Sequence, residues 1–452
     1  VFLAAMSLGA TVVPLNPTSA QSEWQYVIGH AAPRGVIVSR ELEAKLPALA
    51  EGTFVRIIDD VVAAEPGTIE PLGDLSGERA IILYTSGTTG SPKGVALSQG
   101  NLLANGTSMA NNFGLRGATQ LAVLPLYHAH ALGFGLMSAL ATGGHLVFTE
   151  KLDPFTWAHV INAETVTITS VVPTLLPQLL AARVTRERVP SLRAILVSSA
   201  PLSVEMAREF EQKTQIPLVQ GWGLSEYTNF ACCMSPDDSP EDHQRMLFAR
   251  EIPTIGSVLP GTEVRVVDLD GRVLGAEEKG ELHIRGPSKM LGYYGDEEAT
   301  KKTFTDDGWL KTGDQGYFVI DRGRPIFFIS GRIKEIIIRG AEKYAPIALE
   351  RAILAGVPDL QGKMVVLGFP HDLLGEEIGA YVEIEQLDDA LKARLAAAID
   401  SLAPDQRPKI VLYGATPIPR THTGKIQRRK IQHLFEAHRA HRGAVKILPL
   451  SS

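Results

Sequence analysis

Apolar and polar residues along this chain follow two rhythms, and each predicts its own kind of element. Over the first half, short apolar runs bounded by Gly, Pro and small polar residues alternate with segments whose apolar positions recur at helical spacing. The pattern predicts a helix over residues 2–8, a strand over 10–14, a helix over 23–30 and strands over 35–38 and 55–58. It continues with a strand over 81–83, apolar character resumed over 95–97, a helix over 102–114 and a buried strand from Leu121. Further on come a strand over 168–172, a helix over 174–182 and a strand over 194–197. A helix then begins at Leu202-Ser203, where Ser203 and Glu205 suit its first turn. Strands alternating with helices at this spacing predict βαβ units and a mainly parallel sheet, an α/β fold.

From Gly256 the rhythm shortens to β periods over 263–267 and 280–284, with a turn at 268–271. Short strands with Gly-rich turns predict a small barrel or distorted sheet completing the same large unit. Three more strands, over 364–368, 380–384 and 410–413, alternate with helices, which predicts a second, α+β unit. In the helix from Asp388, Leu391, Leu395, Ile399 and Leu402 fall on one face.

Composition narrows the function classes. At 452 residues there is chain enough for roughly two or three domains. The 21% charged residues and net charge of −6 carry no electrostatic footprint for nucleic acid. Cys232 and Cys233 are adjacent, which makes neither a disulfide framework nor a metal site and fits a reducing cytoplasm. No apolar run approaches the ~20 residues of a membrane span. The opening apolar stretch lacks a basic flank and a starting Met, so it is expected to be an internal helix of a chain whose true start lies upstream.

The chemistry concentrates in Leu83-Tyr-Thr-Ser-Gly-Thr-Thr-Gly-Ser-Pro-Lys93-Gly-Val95. Glycines such as Gly87 let backbone N–H groups close on a polyphosphate, Thr85, Ser86, Thr88 and Thr89 offer donors, and Lys93 offers charge. The spacing is not that of a Walker loop. Taken alone, the stretch also fits a polar turn between two strands. Downstream, Gly221-Trp222-Gly223-Leu224-Ser225-Glu226 sets an aromatic face between glycines, a hydroxyl donor and a carboxylate of the kind Mg²⁺ prefers. Gly308-Trp-Leu-Lys-Thr-Gly313-Asp314 puts a carboxylate after a tight turn, where it can accept from a ribose diol. Gly133 and Gly135 either leave room for a ligand or permit close helix packing.

Together these stretches resemble the adenylate-forming superfamily of acyl- and aryl-CoA synthetases, luciferase and peptide-synthetase adenylation domains, in the family's order over nearly the whole chain. The resemblance implies a large domain over 1–331, whose relatives carry some tens of residues before this start, and a small mobile domain over 335–452. It implies that His128, in Pro125-Leu-Tyr-His128, lines the junction of acyl pocket and thiol channel, while His130 has no counterpart and is expected to be structural. Ser199 and Ala200, in a turn where Ser198 replaces the usual glycine, would contact adenine. Gly221, Trp222, Gly223 and Ser225 would hold nucleotide, with Trp and Ser standing for the usual Tyr and Thr, and Glu226 would hold Mg²⁺. Asp314 would bind ribose, Arg332 ribose and phosphate, and Lys334 would be the hinge. Lys425, in Pro419-Arg-Thr-His-Thr-Gly-Lys425, would be the catalytic lysine. Gly340 and Ala341 would line the thiol channel, with Ala341 in place of a second glycine.

The implied reaction is ATP-dependent activation of a carboxylic acid as acyl-AMP, then transfer to the thiol of CoA. Two other outcomes are an acyl-AMP ligase loading the phosphopantetheine arm of an acyl carrier protein, and a nucleotide-binding relative without catalysis. Amino-acid adenylation domains place an aspartate just after the position of Tyr127; this chain has Tyr127-His128-Ala129, which favours an acyl or aryl acid.

Overall fold

A computed structural model describes residues 1–63, 72–85, 92–340, 342–421, 424–439, 441 and 444–450. At its centre, the strands Thr119–Ala122, His145–Phe148, Ile168–Val171, Ala194–Val197 and Leu218–Gly223 run parallel. Phe230–Cys233 and Ser257–Val258 extend that sheet antiparallel at one edge. The residues of Ile168–Val171 and Ala194–Val197 are buried throughout, as strands covered on both faces must be. Thr119–Ala122 lies between His145–Phe148 and Ile168–Val171, so the chain leaves it first to one side and then to the other. Such a reversal opens a crevice at the carboxyl ends of the strands.

The two flanks of the Gly- and Thr-rich stretch lie in a separate antiparallel sheet. Arg79–Thr85 and Lys93–Ser98 form a hairpin whose last pair is Thr85 opposite Lys93, and Gly292–Tyr293 adds to its other side. Ser98 then starts the helix Gln99–Phe113 with a capping box: its Oγ accepts from the Asn101 N–H at 3.0 Å while Asn101 Oδ1 accepts from the Ser98 N–H at 2.9 Å. The expected strand over 10–14 is reduced to a single parallel bridge, Val12 to Ile81.

The β-rich part takes the distorted-sheet form: Glu263–Val267, Gly280–Arg285, Leu310–Asp321 and Arg324–Arg332 lie antiparallel in that order. The last two make a long hairpin turning at Arg322 (φ 48°) and Gly323 (φ 79°), the left-handed pair that a tight two-residue hairpin demands. Arg245 of the helix Pro240–Phe248 ties this turn down through two hydrogen bonds to Asp321, at 3.0 and 2.9 Å.

Residues after Arg332 build a six-stranded sheet centred on Gly375–Glu383, which pairs antiparallel with Met364–His371 and parallel with Ile410–Gly414. Alternate residues of these strands face opposite ways. Val366, Ala380 and Val382 pack under the helices Pro346–Leu354 and Asp389–Asp400, while Val365, Leu367 and Tyr381 pack under the segment Arg428–His438. Among the described residues, no helix is long and apolar enough to cross a membrane.

Candidate active site

Three of the parallel strands deliver polar segments to the same edge of the sheet. Thr119–Ala122 leads to the turn holding His128, Ala194–Val197 to Ser199 and Ala200, and Leu218–Gly223 to the short helical turn Ser225–Tyr227 with Glu226. His128 donates its backbone N–H to Pro125 O at 3.1 Å, and its ring tilts against Tyr127 with centroids 4.6 Å apart. The π-helix Ala131–Met137 follows, a winding that favours functional sites. A Cβ on Gly133 would lie 2.8 Å from Asn229 Cβ, so close packing decides the two readings of that glycine.

His130 is buried, and its Nδ1 meets Ser199 Oγ at 2.9 Å. Burial, and then the neighbouring His128, lower its pKa to about 3, so the ring is neutral. It braces a turn in which Ser199 holds φ 71°, an uncommon conformation for a non-glycine residue.

Trp222 is directed by its flanking glycines. A Cβ on Gly223 would fall 1.6 Å from Asn229 O, and one on Gly221 would fall 2.7 Å from the Phe230 ring, so this strand lies flush on its neighbour. Trp222 is buried, and its Nε1–H donates to Asp314 Oδ2 at 2.9 Å. Asp314 Oδ1 takes Arg332 Nε at 3.1 Å across the hairpin, where the two residues are paired in register. The turn before Asp314 is fixed as well: the Asp314 N–H donates to Thr312 Oγ1 at 3.1 Å, and the Gly313 N–H donates to Glu281 Oε1 at 2.9 Å. Asp314 therefore presents an oriented carboxylate beside an indole and a guanidinium.

Glu226 accepts from the Tyr293 hydroxyl at 2.8 Å, and Lys93 Nζ stands 4.8 Å from the Tyr293 ring centroid. Thr85 and Lys93 are the last pair of the Arg79–Thr85 and Lys93–Ser98 hairpin. Ser86, Gly87, Thr88 and Thr89 lie outside the described residues, as does Ala341. Gly340 ends the strand Ile337–Arg339 at φ 64°, and Lys334 sits in the short helical turn Ile333–Glu335.

Lys425 comes to this site from the opposite end of the chain. Its loop is closed by the Thr421 N–H donating to Lys425 O at 2.8 Å and by the Lys425 N–H donating to Thr421 Oγ1 at 3.1 Å. Gly424 (φ 81°) lies against Thr174, whose Cγ2 would be 3.3 Å from an added Cβ. The side chain is half-buried, within the field of Arg332, Asp314, Glu226 and Glu335. Burial lowers its pKa to about 8, with help from Arg332 and against the three carboxylates. A step that uses this ammonium should lose kcat/KM as pH rises through about 8. A bound polyphosphate would favour the charged form, so the same limb in kcat should lie at higher pH. Rates measured across pH 6.5–10 check both limbs.

Sequence reasoning missed the contact of Tyr293 with Glu226. Their separation of 67 positions leaves no local signal.

Residues 1–294 match the AMP-binding enzyme family. The chain belongs to that family. A sulfoacetate–CoA ligase from Cupriavidus necator is 34% identical over 95% of this chain and 84% of its own length. ATP-bound MatB from Rhodopseudomonas palustris superposes with a TM-score of 0.84, at 28% identity over 96% of this chain and 86% of that one. The apo structure of the same protein gives 0.72. The o-succinylbenzoate CoA synthetase from Bacillus subtilis, in complex with ATP and magnesium ion, gives 0.79 at 26% identity over 95% of this chain and 86% of that one. This AMP-binding enzyme is an acid–thiol ligase of the acyl-CoA synthetase type, which activates a carboxylic acid with ATP and forms its CoA thioester.

Proposed function

We propose that the Asp314–Trp222–Arg332 cradle seats AMP, that Lys425 is the catalytic lysine, and that His128 borders the acyl pocket. The observation carrying this reading is the arrival of Lys425, from the far end of the chain, among Arg332, Asp314 and Glu226. The higher TM-score with ATP-bound MatB, 0.84 against 0.72 for the apo structure, supports a nucleotide-binding arrangement.

A carboxylate is a poor electrophile because its leaving group would be oxide. Its oxygen attacks the α-phosphorus of ATP, the bond to the bridging oxygen breaks, and pyrophosphate leaves. Lys425 bridges carboxylate and α-phosphate, Arg332 and Asp314 hold the ribose end, and Lys93 with the hairpin ends faces the outer phosphates. Positioning and charge neutralisation supply most of the rate. The thiol of CoA then attacks the acyl carbon, the bond to AMP breaks, and the thiol proton passes to solvent.

Among the described residues no cluster of three or more His, Cys, Asp or Glu side chains forms a metal cage. Glu226 alone fits the usual mode of Mg²⁺, which takes one or two carboxylates and otherwise phosphate and water oxygens. When bound, Mg²⁺ neutralises charge on the polyphosphate.

The large domain runs over 1–331 and the small one over 335–452, and rotation about Lys334 between half-reactions withdraws Lys425 and admits the thiol. Cys232 and Cys233, both buried thiols, suit a reducing compartment such as the cytoplasm.

The test is carboxylate-dependent pyrophosphate release from ATP across a panel of acids, with and without α-amino groups, followed by CoA or an acyl carrier protein as acceptor. Release with an acyl or aryl acid and transfer to CoA is expected. Transfer to the carrier alone would favour the carrier-loading reading, and ATP binding with no release for any acid would overturn catalysis.

A further inference from the structure

Gly292–Tyr293 pairs antiparallel with the strand that leaves the phosphate-loop hairpin, setting Tyr293 opposite Val95, two residues beyond Lys93. The backbone N–H of Tyr293 donates to Thr300 Oγ1 at 2.8 Å, which ties the residue to the helix Glu297–Thr303 as well. From this fixed base the phenol donates to Glu226 Oε1 at 2.8 Å, and the ring carries Lys93 Nζ 4.8 Å from its centroid. Asp296 Oδ2, on the same segment, lies 4.0 Å from that ammonium. Glu226 is itself anchored, its carbonyl accepting from the Met290 N–H at 2.9 Å. One aromatic side chain therefore touches both charged groups at the polyphosphate end of the site.

We propose that Tyr293 is a positioning residue that holds the Glu226 carboxylate and the Lys93 ammonium in one fixed relation. This rests on the reading that Glu226 receives Mg²⁺. With one carboxylate oxygen committed to the phenol, the group cannot swing about its last torsion, and the other oxygen keeps a single direction. The ring face attracts the ammonium while leaving its charge intact for phosphate.

The experiment uses Mn²⁺ in place of Mg²⁺, its binding followed by electron paramagnetic resonance in the presence of a non-hydrolysable ATP analogue. Tyr293→Phe removes only the hydroxyl. It should weaken Mn²⁺ binding about 10-fold, with metal-free binding of the analogue and the unfolding midpoint unchanged. Tyr293→Leu also removes the ring and should weaken metal-free analogue binding as well. Glu226→Gln separates the two levels. If Glu226→Gln binds Mn²⁺ like wild type, the metal reading itself fails. If Glu226→Gln loses Mn²⁺ while Tyr293→Phe keeps wild-type affinity, the positioning role is overturned.

Discussion

Replacing Lys425 by alanine should lower carboxylate-dependent pyrophosphate release by about 10²–10³-fold or more, the cost of deleting one preorganised charge from a site where charge develops. The lysine reaches the site on a loop tied by reciprocal hydrogen bonds with Thr421 and seated against Thr174. Its ammonium is therefore aimed before substrate arrives and costs little reorganisation. Around it, Asp314, Glu226 and Glu335 favour the charged form, while burial and Arg332 oppose it. In the proposed role, alanine would leave the attacking carboxylate and the α-phosphate without a shared cation, and their mutual repulsion would add to the barrier. Lys425→Arg should rescue little, because a planar guanidinium cannot replace a compact ammonium in this crowded geometry. Thioester formation from supplied acyl-adenylate should survive both changes, since rotation at Lys334 would withdraw the lysine before that step. Stopped-time assays of the two half-reactions read the contrast directly. Equal loss in both would argue for a general structural defect.

Most of the candidate site was legible as short contiguous stretches, because the chain delivers it as turns at the ends of strands. Glu226 and Ser225 follow one strand directly, and Ser199 follows another. What the sequence hid is what pairs across elements. The hairpin turning at Arg322 and Gly323 sets Arg332 in register with Asp314, a pairing that nothing local in the sequence announces. The Trp222–Asp314 hydrogen bond joins residues 92 positions apart. His130, read as structural, braces Ser199, a contact 69 positions distant that no local pattern announces. Local rhythm also misses the strand Lys446–Pro449, half-exposed at the edge of its sheet. Residues 10–14, apolar enough for a strand, make one bridge to the open edge of Arg79–Thr85, and Pro14 has no N–H with which to continue the ladder.

Arg428→Met should destabilise the C-terminal part by about 3–5 kcal/mol, since it leaves buried carboxylates without their cation. The guanidinium is buried, and every side of it is engaged. Its Nε donates to Val366 O at 3.0 Å, Nη1 to Glu335 Oε2 at 2.6 Å, and Nη2 to both oxygens of Glu350 at 2.8 Å. Glu350 Oε1 also accepts the Val366 N–H at 2.7 Å, so the carboxylate cannot turn away to find water. The unfolding midpoint should drop on the order of 10–20 °C. Removing the second charge tests the cause: Arg428→Met with Glu350→Leu takes out both ends of the buried pair and should recover much of the loss. Glu335 then remains without its partner, next to Lys334, whose carbonyl also accepts from Arg429 Nη2 at 3.3 Å. The segment that carries Lys425 is thereby fastened to the turn Ile333–Glu335 at two successive residues. A double variant restored in stability yet still slow in pyrophosphate release would mean that Arg428 aims Lys425 as well as closing the core. Full recovery of both would confine Arg428 to the core.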